Sequence, residues 1–118
     1  MKSVLYVEDN KDTAEAVKMI LERSGYSVAL RYTGKEGLEE ARKDIYDVLL
    51  LDIMLPDMSG WDILAEINGK VRGKIAFLSA LPVSSERIEE LKKSGVSDYI
   101  MKPFAKNDLI ARVKRLVV

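Results

Sequence analysis

Tyr46-Asp47-Val48-Leu49-Leu50-Leu51-Asp52-Ile53-Met54-Leu55-Pro56-Asp57-Met58-Ser59-Gly60 is a strand that ends in a carboxylate and passes directly into turn chemistry. Asp47 to Leu51 is the most strongly apolar strand, which places it centrally in a sheet, and Pro56, Asp57, Ser59 and Gly60 supply the turn formers. Three other short apolar runs end in the same way. Val4-Leu5-Tyr6-Val7 leads to Glu8-Asp9, Ile75-Ala76-Phe77-Leu78 leads to Ser79, and Tyr99-Ile100-Met101 leads to Lys102-Pro103. Four buried strands that each deliver one polar group at the carboxyl end are the pattern of a parallel sheet with a site along one edge.

The intervening segments have helical periodicity. Asn10 to Ser24 places Ala14, Val17, Ile20 and Leu21 on one face, and Gly25 supplies a stop. Tyr26 to Tyr32 alternates as a strand, and Thr33-Gly34 caps a helix over Lys35 to Lys43 in which Leu38 and Ala41 share a stripe. Trp61 to Ile67 reads as a short helix and Asn68 to Lys74, with two glycines, as a loop. Ser84 to Ser94 is helical with Ile88 and Leu91 inward, and Ala105 to Val118 is a last helix presenting Leu109, Val113 and Leu116. Five βα units without repeat or linker predict one α/β domain over residues 1–118, a five-stranded parallel sheet with helices on both faces. With strand order 2-1-3-4-5, the ligand crevice falls between the first and third strands, beside Glu8, Asp9 and Asp52.

Composition narrows the chemistry. The 118 residues carry 19 basic and 19 acidic side chains, a formal net charge of zero, which argues against a dominant attraction to nucleic acid or an anionic membrane. Without cysteine there are no disulfides or thiolate metal sites, and without histidine there is no imidazole to act as ligand, base or phosphate carrier. No apolar run approaches the roughly 20 residues needed to span a bilayer, and no signal-peptide pattern opens the chain. A cytoplasmic location is expected.

If Glu8, Asp9 and Asp52 converge, three negative charges face the single positive charge of Lys102, a costly deficit in a partly desolvated crevice. A divalent cation would cancel it, and an all-oxygen site open to water favours magnesium, or manganese in its place, with the backbone carbonyl of Met54 as a further ligand. Asp52 would then be the nucleophile that accepts a phosphoryl group, with Lys102 and Ser79 as partners for the transferred oxygens.

These residues, in this order, resemble the receiver domains of two-component response regulators over nearly the whole chain. Glu8-Asp9 is similar to that family's acidic pair, Asp52 with Leu55-Pro56-Asp57-Met58-Ser59-Gly60 to the phosphoacceptor and its loop, and Ser79-Ala80 to the switch hydroxyl. Lys102-Pro103-Phe104 matches the lysine signature, which implies a cis-proline, and Tyr99 takes the aromatic switch position. The first acid is Glu8 where Asp is also common, and the segment from Ser79 to Gly95 is slightly longer than usual.

The resemblance implies a signalling domain rather than an enzyme. It would accept phosphoryl on Asp52 from a sensor histidine kinase or phosphotransfer protein. Ser79 would then move toward the phosphoryl group, vacating space into which Tyr99 turns, and the surface of the fourth helix, fifth strand and fifth helix would change. The residues from Ser97 to Arg112 further resemble receivers of winged-helix transcription regulators, where residues matching Asp98, Asp108 and Arg112 lie on a surface that pairs on activation; the plain alternative is a solvated helix face.

Local readings stand beside these. Glu8 and Asp9 also suit the amino end of the next helix, Tyr99 suits packing as well as switching, Trp61 suits a core or loop anchor, and Asp57 a turn. Met54 and Leu81, each two residues beyond a site residue, are bulky and should slow attack of water on an aspartyl phosphate. A phosphohydrolase of the haloacid-dehalogenase type needs a second acid where Met54 stands. A phosphate-independent interaction module is the other alternative, against which the intact Asp9, Asp52, Ser79 and Lys102 argue.

Overall fold

In the computed structural model, which describes residues 1–118, strands β1 (Ser3–Val7), β2 (Ser27–Arg31), β3 (Val48–Leu51), β4 (Lys74–Ser79) and β5 (Val96–Met101) alternate with helices. The helices are α1 (Lys11–Arg23), α2 (Gly34–Ala41), α3 (Gly60–Ile67), α4 (Ser85–Lys93) and α5 (Lys106–Leu116). All strand pairs are parallel and the order is β2-β1-β3-β4-β5, as the sequence predicts.

Because successive strand residues point to opposite faces, each apolar run feeds two cores at once. Val4, Tyr6, Val48, Leu50, Ala76, Leu78 and Ile100 pack against Ala14, Val17 and Leu21 of α1 and Leu109, Val113 and Leu116 of α5. Leu5, Val7, Leu49, Leu51, Ile75, Phe77 and Tyr99 pack on the other face with Ala41 of α2, Ile63, Leu64 and Ile67 of α3, and Leu91 of α4. The helices start where side chains take the free amides of the first turn: Asn10 accepts from Thr13, Thr33 from Glu36, Ser84 from Arg87, and Ser59 forms a reciprocal capping box with Asp62. Gly25, at φ 96°, follows α1 in the left-handed region that the turn into β2 requires.

The main departure from the expected boundaries is β5, which begins at Val96 rather than Tyr99. It is an edge strand, so Ser97 is tolerated facing solvent, and the polar pair Ser97-Asp98 breaks the apolar run by which a strand is recognised. Lys74 opens β4 instead of closing the preceding loop, and α5 stops at Leu116. No helix is long and apolar enough to cross a membrane.

Backbone hydrogen bonds extend the ladders one residue past the strands, from Glu8 to Arg31, from Asp52 to Val7 and from Lys102 to Ser79. This fixes Glu8, Asp52 and Lys102 at one edge of the sheet. The turn that follows β3 closes tightly over the same edge: the Gly60 amide donates to the Ile53 carbonyl at 2.9 Å, and a Cβ on Gly60 would stand 2.6 Å from the carbonyl oxygen of Asp52. Only glycine permits that approach.

Candidate functional site

Asp52 leaves β3 with 5% of its surface exposed. Its Oδ1 accepts the Met54 amide and the Ser79 hydroxyl, both at 3.0 Å, and its Oδ2 accepts Nζ of Lys102 at 3.1 Å. Ser79, the last residue of β4, is fully buried. Lys102, immediately after β5 and joined to Pro103 by a cis peptide bond, reaches back across the edge to both Asp52 and Glu8. Burial is the largest single influence on the Lys102 ammonium and works against its charge. The adjacent Glu8 and Asp52 together outweigh it, so the lysine is held above its ordinary pKa and stays a cation.

Glu8 is 1% exposed and saturated with donors. Oε1 accepts the Tyr6 hydroxyl at 2.8 Å and also Nζ of Lys102, while Oε2 accepts the Asn10 amide at 3.1 Å. Asp9 is exposed. One oxygen from each of Glu8, Asp9 and Asp52 lies within 4.8 Å of the others, and Lys102 pairs with Glu8 and Asp52 but not with Asp9. Three carboxylates against one ammonium, presented as oxygens alone with one carboxylate at the solvent side, fit a hard divalent cation such as magnesium. Lys102 bridges Glu8 and Asp52, each of which accepts three donors, and Asp9 is the carboxylate it leaves unpaired. At Met54 the contact in place is the amide that fixes Asp52, and the side chain is 60% exposed.

The loop after β4 is tied to the same group of residues. The Leu81 amide donates to the Ser79 hydroxyl oxygen at 3.3 Å, and the Tyr99 hydroxyl donates to the Leu81 carbonyl at 2.6 Å. Tyr99 is 3% exposed, its ring 6.1 Å from Phe77, and burial pushes its phenol above the ordinary range. In this structure the Tyr99 ring lies inside, the Ser79 hydroxyl touches Asp52, and the two residues are joined through Leu81 by one hydrogen-bonded path.

Asp98, Asp108 and Arg112 form a cluster on the face of β5 and α5. Nη1 of Arg112 meets both carboxylate oxygens of Asp98, at 2.9 and 3.1 Å, and Nε meets Asp108 at 3.0 Å, so these charges are paired within the chain. Trp61 is an anchor, edge-on to Phe77 at 4.8 Å with the Arg87 guanidinium 5.3 Å above its ring.

Two residues have roles that were not anticipated. Asp57 is bonded to the start of α2, accepting the amides of Gly34 at 2.7 Å and Lys35 at 2.9 Å, and those backbone donors hold its carboxyl below the usual range. Tyr6 places a buried hydroxyl directly beneath Glu8. Burial, followed by the charge of Glu8, drives that phenol far above its ordinary range, so it is a permanent donor. The two-residue spacing of Tyr6 and Glu8 along a strand was the available signal, because it sets both on one face.

The family model for the response regulator receiver domain matches residues 4–114. The chain is 35% identical over 117 residues to the response regulator ArlR of Staphylococcus saprophyticus, covering 99% of this chain and 53% of that protein. It is 40% identical over 115 residues to the transcriptional regulatory protein CusR of Escherichia coli, covering 97% of this chain and 50% of that protein. The chain therefore spans about half the length of the curated relatives it matches. Among solved structures, the receiver domain of the Francisella response regulator 1452 superimposes with a TM-score of 0.89 at 34% identity, covering 99% of this chain and 97% of that one. A CheY-like receiver domain protein of Methanospirillum hungatei does so with a TM-score of 0.88 at 30% identity, covering 99% and 94%.

Proposed function

The chain belongs to the response regulator receiver domain family, and from that premise we propose that it accepts a phosphoryl group on Asp52 and passes the change to its α4, β5 and α5 surface. The observation that carries this reading is the convergence on Asp52 of a lysine ammonium and a serine hydroxyl, each within hydrogen-bonding distance of its carboxylate. An oxygen of Asp52 forms the new bond to phosphorus while the bond from phosphorus to the donor breaks and its electron pair leaves with the donor. For a sensor histidine kinase or phosphotransfer protein, that donor is an imidazole nitrogen.

A carboxylate nucleophile has no proton to lose, so the absence of histidine from the chain is no obstacle. Lys102 supplies a positive charge to the transferred oxygens and Ser79 a hydrogen-bond donor, in place of the bonds they now make to Asp52. Glu8, Asp9, Asp52 and the Met54 carbonyl would hold magnesium or manganese, which when bound supplies charge neutralisation and orientation of the phosphoryl group. The Met54 amide keeps Asp52 from rotating away.

Output is proposed to run through Ser79, Leu81 and Tyr99, because movement of the Ser79 hydroxyl pulls on the Leu81 amide and hence on the Tyr99 phenol. The face carrying Asp98, Asp108 and Arg112 is the proposed contact for a partner or a second copy, its internal ion pairs being exchanged for pairs across the interface. Each pair given up inside the chain is replaced by one of the same kind across the interface, so such an exchange is nearly balanced and easily biased.

The test is intact-mass spectrometry after incubation with acetyl phosphate, with and without magnesium, on the wild type and on Asp52→Asn. A single phosphoryl adduct that requires both magnesium and Asp52 supports the reading. The absence of an adduct on the wild type under any condition refutes it.

A further inference from the structure

We propose that Tyr6 is a positioning residue for the phosphoryl transfer: its buried hydroxyl secures Glu8 so that the carboxylate can release Lys102 to the incoming group. This inference rests on the reading of Asp52 as phosphoacceptor. Tyr6 is fully buried on β1 in the core formed with α1 and α5, where a phenylalanine ring would pack as well. A buried phenol is costly unless bonded, and the partner of this one is Oε1 of Glu8, at 2.8 Å. The hydroxyl is therefore explained by Glu8 rather than by the core.

Glu8 needs that donor because it is itself a buried carboxylate, and such a group is stable only while hydrogen bonds replace its water. Its donors differ in kind. The Tyr6 hydroxyl and the Asn10 amide are fixed to the scaffold, whereas Lys102 sits on a flexible stem that Asp52 shares. When Lys102 turns to a phosphoryl oxygen, Glu8 retains two fixed donors with Tyr6 in place and one without it. The phenol thus lowers the cost of giving up the lysine.

Removing it separates two observables. Glu8 grips Lys102 more tightly, so phosphoryl uptake slows. The acidic cluster meanwhile loses none of its negative charge, and with one donor fewer on Glu8 its attraction for a cation is undiminished. A loosened, merely damaged site would lose uptake and cation binding together.

The experiment measures phosphorylation by acetyl phosphate against magnesium concentration for the wild type and Tyr6→Phe, with a direct titration of magnesium on the Trp61 fluorescence and a thermal melt to verify folding. The maximal rate should fall about tenfold, the size typical of lost outer partners, while the half-saturating magnesium stays equal or decreases. In a Glu8→Gln background, where the Glu8 charge no longer grips the lysine, the same substitution should alter the rate by less than about twofold. A Tyr6→Phe rate equal to wild type, a parallel weakening of magnesium binding, or an undiminished effect in the Glu8→Gln background overturns the proposal. A wild-type chain that takes up no phosphoryl at all refutes the phosphoacceptor reading itself, and this proposal with it.

Discussion

The hydroxyl of Tyr99 donates to the carbonyl oxygen of Leu81 at 2.6 Å, which makes the orientation of the ring and the path of the loop after β4 a single variable. Tyr99→Phe keeps the ring on Phe77 but cuts that tie. The amides of Ala80, Leu81, Val83 and Ser84 should then exchange with solvent about tenfold faster, the equivalent of one lost hydrogen bond of about 1.4 kcal/mol, while phosphoryl uptake at Asp52 is retained. Hydrogen exchange read by mass spectrometry decides it, and an unchanged loop would remove Tyr99 from the proposed output path.

Asp9 is the member of the acidic cluster that Lys102 does not reach, so it should govern cation affinity. Magnesium at ten times its dissociation constant adds about 1.4 kcal/mol to the folded state and should raise the melting temperature by roughly 4 °C. Thermal melts at matched ionic strength should show that increment for the wild type and its disappearance in Asp9→Asn. A shift of the same size in both proteins would place the cation elsewhere.

Away from the site, Glu40 provides a pH-dependent element of stability. It is buried, and it accepts the Tyr46 hydroxyl at 2.6 Å, Lys43 at 3.0 Å and Arg31 at 2.9 Å. The bond from Tyr46, then Lys43 and Arg31, hold its carboxyl down to about 2 in spite of burial. A depressed acid stabilises the fold above its ordinary value of 4.5, and that contribution drains away as pH falls toward 2. Urea titrations should find Glu40→Gln less stable than wild type by on the order of 2 kcal/mol at pH 7, a gap that narrows steadily from pH 5 to pH 2. A gap independent of pH would contradict it.

Met54 is largely exposed beside Asp52, and Leu81 lies partly buried beside Ser79. Neither side chain can orient a water. Met54→Asn introduces an amide able to do so, and the phosphorylated protein should revert several-fold faster than wild type when decay of the adduct is followed by intact mass. Equal lifetimes would show that access of water is controlled by another residue.

The sheet, its strand order and the convergence at its edge were legible because the signals are local. Val48 to Leu51 is an unbroken apolar run, and its ending at Asp52 is visible in five residues. The amino-terminal half of β5 was not, since an edge strand tolerates Ser97 and Asp98 and then resembles a loop. Contacts between distant residues left no trace either: nothing near Asp57 indicates that it bonds to amides 22 and 23 positions away. Glu8 reads in the sequence as one carboxylate of a converging acidic cluster, and its donors Tyr6, Asn10 and Lys102 become apparent only in the folded chain. Periodicity places Tyr99 on a face of the sheet but carries no information on where its hydroxyl ends.

Glu8 and Lys102 meet across 94 positions of chain, and Asp52 and Lys102 across 50. A polypeptide emerging from the ribosome therefore displays its acidic pair and Asp52 well before the lysine that balances them exists. Until residue 102 is released and β5 has docked, the carboxylates repel one another with no ammonium between them. The charge balance of the sheet edge is thus completed by the last strand of the fold, and the earlier four cannot supply it.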